Sequence, residues 1–131
     1  MMIPTTHRPS AAFVGASWMA LIAGMATYFI GLWRSDMQLN EKGYYFAVIM
    51  YGLFAAISVQ KAVRDRLMNI AVTNLYYGLA WISLLIAIGL LCIGLINAQL
   101  GSSEKGFYAM SFGLSLFAAI AVQKNTRDSA D

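Results

Sequence analysis

The sequence predicts an all-α integral membrane four-helix bundle made of two tandem parallel helical-hairpin repeats. Three observations predict it. Sixty per cent of the 131 residues are hydrophobic and only 11% are charged. The apolar residues gather into four long uncharged stretches. The chain also repeats itself without a gap after 63 positions, as Tyr45 and Tyr108 illustrate.

A soluble domain carries roughly 25% charged residues, because it must cover its surface with solvated groups. This chain is too apolar for that. It is also too apolar for disorder, which needs low hydrophobicity and high charge. The net charge of +3 would suggest nucleic acid in a soluble protein. Here the basic residues flank apolar segments, so they point to orientation in a membrane, and no nucleic-acid partner is expected.

The first stretch runs from about Ala11 to Trp33 and the second from about Gly43 to Val59. The third runs from about Leu75 to Ile96 and the fourth from about Gly106 to Val122. None contains Asp, Glu, Lys, Arg or His. A helix needs about 20 residues to cross a hydrocarbon core ~30 Å thick. The second and fourth stretches are short, so their amphipathic flanks are expected to continue the helices beyond the lipid. Barrel strands would alternate in polarity, and these runs do not. Pro4 and Pro9 both precede the first stretch. That stretch exceeds a signal-peptide core of about 7–15 residues and has a counterpart inside the chain, so a signal peptide is not expected.

The repeat is visible in polar as well as apolar residues. Trp18 falls on Trp81, and Gly31-Leu32 on Gly94-Leu95. Glu41-Lys42-Gly43 falls on Glu104-Lys105-Gly106, and Leu53-Phe54-Ala55-Ala56-Ile57 on Leu116-Phe117-Ala118-Ala119-Ile120. Gln60-Lys61 and Arg64-Asp65 recur as Gln123-Lys124 and Arg127-Asp128. Two polar motifs in one register indicate a duplicated helix–loop–helix unit. The expected division is a tail over 1–10, repeats over 11–66 and 67–128, and a tail over 129–131. Each unit enters and leaves on one side, so the copies point the same way, unlike inverted-repeat transporters.

Arg8, Lys61, Arg64, Arg66, Lys124 and Arg127 lie on the side of the termini. Arg34, Lys42 and Lys105 lie on the side of the two hairpin loops. The bias of Lys and Arg towards the cytoplasm predicts that both termini are cytoplasmic.

Asn40 and Ser103 precede the Glu-Lys-Gly motifs and are expected to cap the second and fourth helices. Glu41 and Glu104 then complement the helix dipole. Tyr44, Tyr45, Phe107 and Tyr108 are expected at the headgroup boundary, which amphipathic rings favour. The bland reading of Glu41, Lys42, Gly43, Glu104, Lys105 and Gly106 is a helix start and an anchor; the sharper one is a ligand or ion site. At the other end, Lys61 and Asp65 are four apart, as are Lys124 and Asp128, so each pair can meet on one face. Gln60, Lys61, Arg64, Asp65, Gln123, Lys124, Arg127 and Asp128 read as an anchoring collar or as a docking patch for a partner or lipid.

Small residues recur at helical spacing. Ala16, Ala20 and Gly24 share a face of the first helix, and Ser83 and Ala87 a face of the third. Gly52 and Ala56 do the same in the second, and Ser111, Ser115 and Ala119 in the fourth. Helix association in lipid depends on close backbone approach, so these faces are candidates for packing or oligomer contact.

No charged group lies within the apolar spans, which argues against a proton-coupled exporter. His7, in the tail, is the only histidine, and Cys92 the only cysteine. A haem held by two histidines from one chain is therefore impossible, and Cys92 reads as a small hydrophobe. No phosphate-loop, dinucleotide, zinc-protease or nucleophile-elbow pattern occurs. No catalytic residue, cofactor or metal is expected.

Met37-Gln38-Leu39-Asn40-Glu41-Lys42-Gly43-Tyr44-Tyr45-Phe46-Ala47, Gly31-Leu32-Trp33, Ser103-Glu104-Lys105-Gly106-Phe107-Tyr108 and Ala121-Val122-Gln123-Lys124-Asn125 carry a resemblance. The pattern resembles the YiaA/YiaB family of small bacterial inner-membrane proteins, whose unit is a two-helix domain. It covers about Ser17 to Asp128. The resemblance implies an inner-membrane location and two tandem domains, and it brings no activity or catalytic residue. The expected role is structural or interactive, with the lipid bilayer, a further copy or a membrane protein as partner. The alternative is a facilitator or channel for a small neutral solute, formed by an oligomer.

Overall fold

The computed structural model describes residues 8–129, so His7 and the outer parts of both tails lie outside the described residues. Four helices follow in order: α1 (Ala11–Arg34), α2 (Leu39–Leu67), α3 (Asn74–Asn97) and α4 (Ser102–Ser129). All four are long and apolar enough to cross a membrane. At 1.5 Å per residue, the 29 residues of α2 extend to about 43 Å. That is longer than the hydrocarbon core. The polar flanks of α2 and α4 therefore continue as helix past the apolar spans, as expected.

Local chemistry sets the helix ends. Ser10 Oγ accepts from Phe13 N at 3.1 Å, and Thr73 Oγ1 accepts from Tyr76 N at 3.1 Å. These side chains satisfy amides that an N-terminus leaves without a partner. α2 ends in a double closure around Asn69. Ile70 N donates to Asp65 O at 2.8 Å, and Asn69 N to Arg66 O at 3.2 Å. This Schellman geometry needs a left-handed residue, and Asn69 supplies it with φ 60°.

The starts of α2 and α4 differ from expectation. Asn40 and Ser103 are not caps but lie within the first turns. The cap of α2 is Gln38, whose N–H donates to Glu41 Oε1 at 3.0 Å. In α4, Gly101 N donates to Glu104 Oε1 at 3.0 Å, and Gly101 O accepts from Lys105 N. Each glutamate, three residues into its helix, holds a backbone N–H upstream and so draws the start two residues earlier.

The helices form a row, α3–α2–α4–α1. Each hairpin is continuous in connectivity, but its two helices touch only lightly. α1 packs along α4, α3 packs along α2, and α2 and α4 meet in the middle. Each copy thus lays its first helix against the second helix of the other copy. Burial follows: α2 and α4 carry most of the core, while α1 and α3 expose Met19, Ile22, Leu85 and Ile96. Those faces are the ones a bilayer would solvate.

The copies are related by a pseudo-twofold axis between α2 and α4. A Cβ built on Gly31 would lie 2.6 Å from Phe107, and one on Gly94 would lie 2.7 Å from Tyr44. These are the same contact made twice, since Gly31 and Phe107 match Gly94 and Tyr44 in the repeat. On the axis, Tyr45 and Tyr108 stack with centroids 6.0 Å apart and planes 17° apart.

Candidate functional site

The polar residues of both copies converge at the two ends of the α2–α4 pair. At the end of the chain termini lies a lattice of ion pairs. Lys61 Nζ donates to Asp65 Oδ2 at 2.9 Å, and Lys124 Nζ to Asp128 Oδ2 at 2.9 Å. The i,i+4 pairs expected from spacing therefore form. The arginines cross the axis: Arg127 Nη1 donates to Asp65 Oδ1 at 2.7 Å, and Arg64 Nη2 to Asp128 Oδ1. Each carboxylate is shared by a lysine of its own helix and an arginine of the other. Because α2 and α4 run parallel, equivalent Arg-Asp pairs face each other and exchange partners.

Asp65 and Asp128 lie past the apolar spans that end near Val59 and Val122. Asp65 is held below its ordinary carboxylate range by bonds from Lys61 and then Arg127, against the opposing effect of burial. Burial acts first on Asp128, and the bonds from Arg64 and Lys124 outweigh it, so its pKa is also lowered. Both aspartates are nearly buried, and both lysines remain about half exposed. These charged residues thus form a clamp between two helices.

Beside the clamp, Ser17 Oγ donates to Phe13 O at 2.8 Å and accepts from Asn125 Nδ2 at 3.2 Å. With the Ser17 proton given to Phe13 O, the amide nitrogen of Asn125 faces the hydroxyl. The carbonyl oxygen of Asn125 is then buried without a donor among the described residues. An unmet buried acceptor costs about 1–3 kcal/mol. Gln60 Oε1 is the other such atom among the described residues. Gln60 and Gln123 are both half-buried.

At the opposite end, both hairpin connections border a cavity of about 520 Å³ lined by Asp36, Gln38, Glu41, Asn97, Gln99 and Glu104, among others. Glu41 and Glu104 are each engaged in capping their helix. Lys42 Nζ donates to Trp33 O at 3.2 Å and lies 5.9 Å from the centroid of that ring. Lys105 is half-buried in the first turn of α4. Gly43 and Gly106 are exposed, with open space where a Cβ would stand. Tyr45 and Tyr108 are not headgroup anchors: they are buried on the axis, where their rings fill the space between α2 and α4. Tyr28 Oη donates to Tyr45 O at 2.8 Å from α1.

The small-residue faces divide. A Cβ on Gly24 would lie 2.6 Å from Ser115 Oγ and 3.0 Å from Ser115 N, so α1 and α4 approach almost backbone to backbone. Gly52 meets Phe112 across α2–α4. Ala56, Ala87, Ser111, Ser115 and Ala119 are buried, Ala20 and Ser83 half-buried, and Ala16 exposed. Among the described residues no group of three His, Cys, Asp or Glu side chains is placed to hold a metal. Cys92 is exposed rather than packed inside the bundle.

Four apolar helices in two equivalent pairs, tied by duplicated polar motifs, define a membrane bundle of two-helix repeats. The sequence profile of the yiaA/B two helix domain matches residues 13–65 and again 76–128, and the chain belongs to that family. It is 55% identical over 125 residues to inner membrane protein YiaA of Escherichia coli K12, covering 95% of this chain and 85% of that protein. It is 31% identical to inner membrane protein YiaB of the same organism, over 76% of this chain and 84% of the relative. An uncharacterized membrane protein of Bacillus subtilis, YubF, is 41% identical over 46% of this chain and 70% of its own length. No solved structure matches the chain.

Proposed function

We propose that this chain is a non-enzymatic accessory protein of the bacterial inner membrane that organises lipid or a membrane partner. The carrying observation is the fate of the duplicated charges at the terminal end. Asp65 and Asp128, each shared by two cations, hold α2 to α4. Buried ion pairs of this kind serve register and specificity better than they serve net stability. The midline of the bundle, meanwhile, is filled by side chains such as the stacked Tyr45 and Tyr108 and Phe112 against Gly52. That filling supports a scaffold over a conduit through a single chain. The names of the relatives, inner membrane proteins both, support the location.

In this reading both termini and the ion-pair lattice face the cytoplasm, where basic residues favour an anionic leaflet. Alkaline phosphatase fused to the C-terminus should be inactive, and the same enzyme inserted after Asp36 should be active. Mild-detergent affinity purification with mass spectrometry tests the role. A partner or lipid retained in fixed stoichiometry is expected. Solute entry in a liposome swelling assay, with no retained partner or lipid, would overturn the proposal in favour of a facilitator.

A further inference from the structure

The first hairpin carries a groove of about 300 Å³ on its flank, where α1 and α2 touch only lightly, lined by Phe29, Trp33, Lys42, Gly43 and Phe46, among others. Phe29 of α1 and Phe46 of α2 close its deeper end, with ring centroids 5.6 Å apart. Trp33 and Lys42 stand about one turn nearer the hairpin loop. There the first apolar span ends and the second begins, so they lie at headgroup depth. Gly43 leaves the groove open, with nothing within 4 Å of where a Cβ would stand.

Charge is sorted between this groove and the cavity on the axis. The axial cavity is bordered by Asp36, Glu41 and Glu104, with no lysine or arginine in its lining. The flank groove has Lys42 as the one charged residue in its lining. The Lys42 ammonium gives one N–H to Trp33 O in an exposed hydrogen bond, which leaves two of its three donors. Among the described residues no carboxylate pairs with it. The equivalent flank of the second copy keeps Lys105 and Gly106 but has Cys92, Ile96 and Ala109 in place of Phe29, Trp33 and Phe46. Only the first copy joins the cation to aromatic walls. Amphipathic rings favour the boundary between headgroup and chain, and a lysine facing lipid at that depth meets phosphate as its counter-ion.

We infer that the groove between α1 and α2 binds an anionic phospholipid, with phosphatidylglycerol as the chemical type. The Lys42 ammonium donates to the phosphate, while the glycerol backbone and upper acyl carbons lie against Trp33, Phe29 and Phe46. The apolar walls favour an amphiphile over a soluble anion. A cation without a carboxylate favours a headgroup of net negative charge over a zwitterionic one. The inference deepens the lipid half of the proposed function and rests on it.

Full-length protein carrying Trp18→Phe and Trp81→Phe keeps Trp33 as its one tryptophan, so its fluorescence reports on the groove. The protein is reconstituted into phosphatidylcholine vesicles with a rising fraction of a lipid brominated high on its acyl chains, which quenches on contact. Brominated phosphatidylglycerol should quench Trp33 at a mole fraction about fivefold lower than brominated phosphatidylcholine. Lys42→Gln should erase that preference and Lys42→Arg should keep it. Gly43→Leu, which fills the groove from an open position, should also erase it. Thermal unfolding checks that the variants fold, and an unfolded Lys42→Gln would hand the decision to Gly43→Leu. Trp33→Ile with Ile96→Trp moves the probe to the second copy, where the preference should be smaller. Equal quenching by the two lipids, an equal preference at the second copy, or a preference that survives in folded Lys42→Gln or Gly43→Leu overturns the site. So does loss of the preference on adding soluble glycerol phosphate, which would make the free anion the ligand. The pull-down of the preceding section reads what the whole bundle retains, so a failed groove and a failed accessory role give different results.

Discussion

The seam between α1 and α4 and the seam between α2 and α3 join equivalent helices, yet they are finished with different chemistry. In the first, Gly24 meets Ser115, and Ser17 bonds to Asn125. The corresponding positions of the second are Ala87 and Gly52, and Ala80 and Ala62. All four are buried. Small size is kept in both seams and polarity in only one. Close approach of the backbones is therefore what the fold demands, because lipid provides no hydrophobic drive to hold helices together. The polar pair is an addition that the alanine seam manages without.

The comparison breaks most decisively if the helices pair as sequence neighbours. In a Cys92→Ala background, Gly24→Cys with Ser115→Cys should close a disulfide nearly completely on oxidation, seen as a gel shift reversed by reductant. Gly24→Cys with Gly52→Cys, joining α1 to α2, should stay reduced. The reverse pattern would undo the crossed arrangement.

Unequal packing costs come next. Gly24→Ala places a methyl group against the Ser115 backbone and should lose about 1–3 kcal/mol by detergent unfolding. Ala87→Gly, the mirror change, should lose only about 0.5–1 kcal/mol through chain entropy. Equal losses would mean that the two seams approach equally closely.

A smaller effect isolates polarity. Ser17→Ala alone strands the Asn125 amide and should cost about 1–3 kcal/mol. Ser17→Ala with Asn125→Ala rebuilds the Ala80–Ala62 pair and should recover most of that loss. If the double variant is worse than the single one, the seams are not interchangeable.

Acid should have the mildest effect, and it should act on the clamp rather than on either seam. Asp65 and Asp128 have lowered pKa values in the folded protein. Their stabilisation is complete above the ordinary carboxylate value of 3.8 and disappears as pH falls through the lowered values. Unfolding midpoints measured from pH 7 to pH 2 should drop in this acid window, and Asp65→Asn with Asp128→Asn should flatten the drop.

Much of this architecture is legible in the sequence. Gly24, Ser115, Ala56 and Ala119 stand at the spacing of a packing face, and all four are buried. The Lys61–Asp65 and Lys124–Asp128 pairs follow from the pitch of a helix. Other features were hidden. Asn40 and Ser103 are better caps by type than Gln38 and Gly101, but a glutamate three residues into the helix reaches past them. Tyr45 and Tyr108 have the composition of headgroup anchors. Only the nearness of α2 to α4 turns them towards each other. The exchange of Arg64 and Arg127 was within reach, because parallel copies carrying the same Arg-Asp pair in register bring it face to face.

By itself the sequence determined four membrane helices, their duplication and the relative direction of the copies. Length and charge against a fixed bilayer thickness leave little choice there. Tertiary structure alone decided which helices pair. In a chain this apolar every helix face is greasy, so hydropathy cannot tell a neighbour from lipid. The choice falls to shape: a glycine that admits a serine, a ring that fits over a glycine, and a carboxylate within reach of two cations.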